Sequence, residues 1–210
     1  MLGYKSTIIR KYGESVDIFR FDTDSLEIVS STKALIGRSS KTVSNMFRLA
    51  TQKEAIFLPD QDVQNGDYVY LMNTDEMFIV VGTHNEYGRN SVISIVSNIL
   101  KCEYVMTVKG YITDADDRGN IKKIFGDKYS DIPCFYEHIS GDLKQYDPGL
   151  NPEAEYRIYT TAIEIEETDR IEIYLRNTNI AKKFKVVSID PVSLPGLLII
   201  DVEYDNLRQG

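Results

Sequence analysis

An all-β protein of two tandem small β-barrel or sandwich domains, related by an internal repeat, is the fold this sequence predicts. Three observations carry that reading. Residues 65–83 read NGDYVYLMNTDEMFIVVGT and residues 167–190 read ETDRIEIYLRNTNIAKKFKVVSID, the same grammar written twice: acidic turn, alternating strand, Asn-Thr turn, alternating strand. Asp67 aligns with Asp169, and Val69 and Leu71 with Ile171 and Ile173. After short gaps, Asn73 and Thr74 fall on Asn177 and Thr178, and Phe78, Val80 and Val81 on Phe184, Val186 and Val187. The second observation is the abundance of short runs rich in Tyr, Ile, Val and Phe, the residues a pleated, half-buried surface favours. The third is the Gly, Asn, Asp and Pro punctuation between those runs.

In chain order the strands are expected at 15–21, 26–30, 55–58, 67–72, 77–82, 155–160, 162–166, 170–175, 183–189 and 196–204. The apolar positions of 90–101 fit a helical face as well as a buried strand. The repeat decides for strand, because GLLIIDVEY occupies the matching place in the second copy. The stretch 39–52 is open to the same two readings, and again a parallel decides: FRLATQKEAIFL (47–58) aligns with YRIYTTAIEI (156–165), which reads as strand. Four residues are assigned to structural hairpin turns: Asp67, Asn73, Asp169 and Asn177. The expected organisation is an N-terminal β-domain over 1–110, a linker or long exposed loop over 111–131, and a C-terminal β-domain over 132–210. The Gly-, Asp- and Lys-rich segment between the copies suggests that linker.

Composition sets limits on function. At 42% hydrophobic and 27% charged residues, the chain has the make-up of a folded protein. It carries a net charge of −8, split unevenly: residues 1–110 hold 12 Lys/Arg and 13 Asp/Glu, residues 111–210 hold 12 and 19. Tight nonspecific binding of nucleic acid needs basic surface to displace counterions, so this chain is not expected to grip DNA. An acidic surface nevertheless lets a duplex slide past. Cys102 and Cys134 form no framework of disulfides and no CxxC spacing, and are expected as buried free thiols. The opening MLGYKSTIIRKYGES has no apolar run like that of a secretory leader, and no stretch approaches the ~20 apolar residues of a membrane span. No membrane association is expected.

Motifs of catalysis and cofactor binding are missing from the sequence. His84 and His138 stand in expected loops without a GxSxG elbow. There is no GxxxxGK[ST], no GxGxxG and no HExxH. DADDRGN (114–120) is the one oxygen-rich loop to test against calcium. Asp114, Asp116 and Gly119 fit EF-hand positions 1, 3 and 6, but Arg118 takes position 5 and Phe125 the position of the bidentate Glu. The chain is therefore expected to be no enzyme, with no catalytic residue, cofactor or metal.

The two hairpins, together with IIRKYGESVDIFRF (8–21) and the run-up PCFYEHISGDLKQYDPGLNPEAEYRIYTTAIEIEETDRIEI (133–173), resemble the head-completion proteins of tailed bacteriophages: adaptors, head-closure proteins and stoppers. That resemblance implies a small barrel that joins copies of itself into a ring between portal and tail and closes the genome channel. Here it takes the form of a tandem duplication. The implied partners are further copies of the chain, a portal or adaptor protein, a tail protein, and genome DNA passing nearby without tight binding. The implied location is the virion, assembled in the host cytoplasm. On this view Asp114, Asp116, Asp117 and Arg118 belong to a partner-contacting or channel loop. A tail-tip or baseplate protein and a carbohydrate-binding β-module are the alternatives. The second must rely on Tyr and Phe platforms, since the chain has no Trp.

Overall fold

The computed structural model describes residues 2–23, 25–38, 51–89, 91–115, 121–139, 151–175 and 180–205. Its elements in order are α1 (Leu2–Tyr12), β1 (Glu14–Asp22), β2 (Ser25–Arg38), β3 (Gln52–Phe57), β4 (Tyr68–Leu71), β5 (Glu76–Tyr87) and β6 (Val92–Lys101). There follow β7 (Tyr104–Ala115), β8 (Ile121–His138), β9 (Tyr156–Thr161), β10 (Arg170–Leu175), β11 (Ala181–Asp190) and β12 (Leu197–Tyr204). The chain divides into two compact units, residues 1–102 with 194–197 and residues 103–193 with 198–210.

Each unit contains a closed antiparallel barrel of six strands, in the ring order β1-β2-β3-β6-β5-β4 and, for the second, β7-β8-β9-β12-β11-β10. The two rings are one topology used twice. The paired registers show it residue by residue. Val69 lies opposite Ile18 and Phe78; Ile171 lies opposite Val108 and Phe184. Both barrels also carry a bulge at the same place, Val81 beside Val80 and Val187 beside Val186, where the strand must bend to close the ring. In so small a barrel the interior is filled by side chains. The alternating positions Val16, Ile18, Ala55, Phe57, Val69, Leu71, Phe78, Val80 and Ile99 pack the first. Met106, Val108, Ile132, Cys134, Ile158, Ile171, Ile173, Phe184, Ile200 and Val202 are the buried counterparts in the second. Both cysteines are free and buried, and burial pushes the Cys134 thiol well above its ordinary range.

The two-barrel architecture and the strand at 92–101 agree with the sequence expectations. Four details differ. First, α1 has no counterpart among those expectations: it buries Ile9 completely and ends where the Gly13 amide donates to the Ile9 carbonyl at 2.8 Å. A Cβ at Gly13 would lie 2.4 Å from that carbonyl oxygen, so the exit from the helix requires glycine. Second, residues 111–115 and 121–131 are strand, paired across β7 and β8 from Tyr111–Phe125 to Ala115–Ile121, and not a linker. The second unit accordingly begins at Glu103 rather than Ile132. Third, 162–166 is not a strand. Its alternation serves a connecting loop that buries Ile163, while the Glu166 carbonyl accepts from the Asp169 amide at 3.0 Å. Fourth, the alignment of 47–58 with 156–165 is out of register. Pairing with β2 and β8 sets Ala55 against Ile36 and Ile158 against Tyr136, and Ala34 and Cys134 hold one position in the two barrels. Ala55 therefore corresponds to Ile158, not to Ala162. Residues 47–50 lie outside the described residues.

Candidate functional site

The two repeats differ most in one hairpin. In the first unit β1 and β2 turn at Asp22–Ser25. In the second the corresponding strands run on. Because Val108 holds the place of Ile18, Gly110 corresponds to Arg20 and Ile112 to Asp22, and β7 continues to Ala115. Neighbours support only the base of this hairpin: β10 pairs with β7 through Tyr104–Lys109, and β9 with β8 through Phe135–His138. From Gly110 and Gly126 outward the two strands pair only with each other among the described residues. They form an arm.

Its faces follow from period two. One face carries Tyr111 opposite Phe125, their rings 5.4 Å apart and edge to face, with Ile121 beyond; the other carries Ile112 opposite Ile124. All five side chains are exposed, Tyr111 at 56% and Ile121 at 74%. The ribbon thus leaves large apolar side chains exposed on both faces, since two strands bury little by themselves. Lys122 and Lys123 stand among them, exposed.

The arm is anchored by a buried ion pair. Asp169, fully buried, accepts from Lys128 Nζ at 2.9 Å and from the Glu166 amide at 2.9 Å. The first unit solves the same problem with another residue. There Asp67 accepts Arg20 Nε at 2.8 Å and Nη2 at 2.9 Å, and the Gln64 amide at 2.8 Å. Where β1 has Arg20, β7 has Gly110, and a Cβ there would come within 2.1 Å of Asp169 Oδ1. The glycine makes room for the carboxylate, and the cation arrives from β8 instead. Lys109 adds a second brace at the base, 3.1 Å from Glu172. Burial would raise the Glu172 carboxyl, but hydrogen bonds from Tyr174 and Lys109 prevail and hold it below its ordinary value.

Corresponding ends of the barrels are closed by opposite chemistry. In the first, Glu76 binds Lys101 at 2.8 Å and Lys53 at 3.2 Å, and Lys53 lies 4.6 Å over the Phe78 ring. In the second the matching positions are Lys182, Tyr204, Tyr156 and Phe184. Tyr136 stacks on Tyr156 at 4.9 Å and Phe184 on Tyr204 at 4.9 Å, and Tyr156 donates to Tyr204 at 3.0 Å. That bond pushes Tyr156 up to about 12. Burial is the main cause that raises the Tyr136 hydroxyl.

Glu76 supplies a test in acid. Burial alone would raise its carboxyl, but hydrogen bonds from Lys101 and Lys53 outweigh that and lower it. A depressed folded-state value contributes stability above the ordinary carboxylate value of about 4.3, and loses it as pH falls through the lowered one. Glu76→Gln is expected to cost about 1 kcal/mol at neutral pH and progressively less in acid. Urea denaturation followed from pH 7 down to 3 measures it, and a pH-independent difference would sink the assignment.

Of the residues singled out from sequence, Asp114 lies on β7 opposite Lys122, while Asp116, Asp117, Arg118 and Asn177 fall outside the described residues. Asn73 is exposed in the β4–β5 turn, and Asp67 and Asp169 precede β4 and β10. The arm's apolar residues and Lys128 were missed: Ile121, Lys123 and Phe125 share one face, but the charged Lys123 between the other two leaves no apolar alternation to mark the strand. His84 lies on β5 and His138 ends β8, its ring 5.2 Å from Tyr156. Among the described residues no group of three or more His, Cys, Asp or Glu is placed to hold a metal ion, and no helix is long and apolar enough to cross a membrane. A shallow cleft of about 520 Å³ beside α1 is lined by Arg10, Lys33, Leu58, Met72 and hydroxyl residues, and has no base beside a nucleophile.

Fold and site together define a tandem-barrel protein with a projecting two-stranded arm. Comparison with protein-family models and with curated proteins yields no match to this chain.

Proposed function

We propose that this chain is a structural subunit of the head-to-tail connector of a tailed bacteriophage, acting by packing against its neighbours and closing the genome channel. The observation that supports this reading most is the β7–β8 arm, apolar on both faces and projecting past the strands that support its base. Such an element is built to be covered by another chain. The duplicated barrel adds to it, since two units in one subunit offer separate surfaces to head-side and tail-side neighbours. The acidic balance suits a protein beside passing DNA that must not hold it. The carbohydrate-binding alternative needs free aromatic platforms, whereas the largest aromatic group, Tyr136, Tyr156, Phe184 and Tyr204, is spent on packing against itself.

Purified particles from cells carrying the gene test the proposal. The chain is expected in them at stoichiometric amounts by mass spectrometry, and in the neck by cryo-electron microscopy. Deleting the gene is expected to leave filled heads that leak DNA or lack tails. Infectious particles formed without the chain would rule the reading out.

A further inference from the structure

We infer that the β7–β8 arm of one chain docks on the β1–β2 hairpin of a second copy, with β8 extending the sheet at the open edge of β2. This rests on the self-assembly part of the proposed function and names the surfaces that perform it.

Three observations converge on this pair. Both edges are open: among the described residues β2 from Ser25 to Val29 pairs only with β1, and β8 from Ile121 to Gly126 only with β7. An unpaired edge is a template for another strand. Both open stretches are long enough to pair, since among the described residues β2 meets β3 only from Leu35 and β8 meets β9 only from Phe135. Both carry exposed apolar side chains, Ile28 at 58% and Val29 at 40% on the hairpin, with Ile121, Ile124 and Phe125 on the arm.

Charge selects the partner. Between Glu14 and Ser30 the described residues carry Glu14, Asp17, Asp22 and Glu27 against Arg20, and that guanidinium is already held by Asp62 and Asp67. The hairpin surface is therefore acidic. The arm strand brings Lys122 and Lys123, both exposed, beside its apolar residues. Lysines on an edge strand discourage pairing of two identical arms and favour an acidic acceptor. The donor lies in one unit and the acceptor in the other, so every chain has one of each. Contacts of this kind run head to tail and close into a ring when the rotation per subunit allows it.

The test uses the full chain. Sedimentation velocity over a concentration series is expected to show wild-type self-association. Lys122→Glu with Lys123→Glu reverses the arm; Asp22→Lys with Glu27→Lys reverses the hairpin. Each pair is expected to weaken association at least about tenfold, because it sets like charges together. Combining all four substitutions in one chain restores the complementarity and is expected to restore association. All four side chains are exposed, and because Asp114 lies opposite Lys122 and Arg20 opposite Glu27 in their own ladders, thermal melts are expected to fall by no more than a few degrees and report that folding is intact. A wild-type monomer at high concentration overturns the inference. So do reversals without effect, and a fourfold variant that fails to recover. The connector reading fails separately, by absence of the chain from particles.

Discussion

Replacing Lys128 with methionine is expected to destabilise the second unit by about 3–5 kcal/mol, because it leaves the fully buried Asp169 carboxylate with no counter-charge. Asp169→Asn keeps an oxygen to accept the Glu166 amide and removes the buried charge, and is expected to cost less, about 1–2 kcal/mol. Gly110→Ala attacks the same site from the backbone side. Its Cβ would overlap Asp169 Oδ1, for a loss of about 1–3 kcal/mol. Urea denaturation of the three variants gives the order, and hydrogen exchange at the amides of β7 and β8 shows whether the arm loosens first. An Asp169→Asn variant weaker than Lys128→Met would mean that the turn, and not the ion pair, anchors the arm.

Phe184→Ala carries the other large effect. The ring is fully buried at the end of the second barrel, stacked on Tyr204 and 5.6 and 5.7 Å from Tyr156 and Tyr136. Truncating a buried phenylalanine costs about 3–5 kcal/mol through lost transfer energy and the cavity left behind. The lost aromatic contacts are worth about 0.5–1.5 kcal/mol for each pair. Exchange should accelerate in β9, β11 and β12, while the amides of β1–β6 serve as an internal control. Phe78→Ala, at the matching position, is expected to produce the reverse pattern. A Phe184→Ala variant that melts like wild type would mean that the tyrosines alone close this end.

The sequence exposed the hairpin repeat because a barrel strand writes its environment at period two. Val69, Leu71, Phe78 and Val80 all point inward and their counterparts Ile171, Ile173, Phe184 and Val186 do the same; Glu172 and Lys185 alternate with the second set, Tyr70 and Ile79 with the first. Where that relation breaks, legibility ends. The arm has no inside, so Tyr111 and Phe125 sit beside Lys, Asp and Gly with nothing buried to set a pattern, and the stretch resembled a linker. The likeness of Ala55-Ile56 to Ala162-Ile163 misled for a related reason. Two adjacent residues are a short signal, and what places Ala55 is its pairing with Ile36 and Ser97, contacts distant in the chain.

What the sequence determined by itself is the all-β class, the duplication, the strand at 92–101 and the inward rows of the two hairpins, all consequences of local alternation and turn chemistry. Only the tertiary structure decided that Lys128 on β8 does for Asp169 what Arg20 on β1 does for Asp67. It alone revealed that one barrel ends in a Glu-Lys cluster and the other in stacked tyrosines, and that the second unit's hairpin outgrows its supports. Each of these depends on which strands lie side by side in a closed ring, and no stretch of neighbouring residues records that.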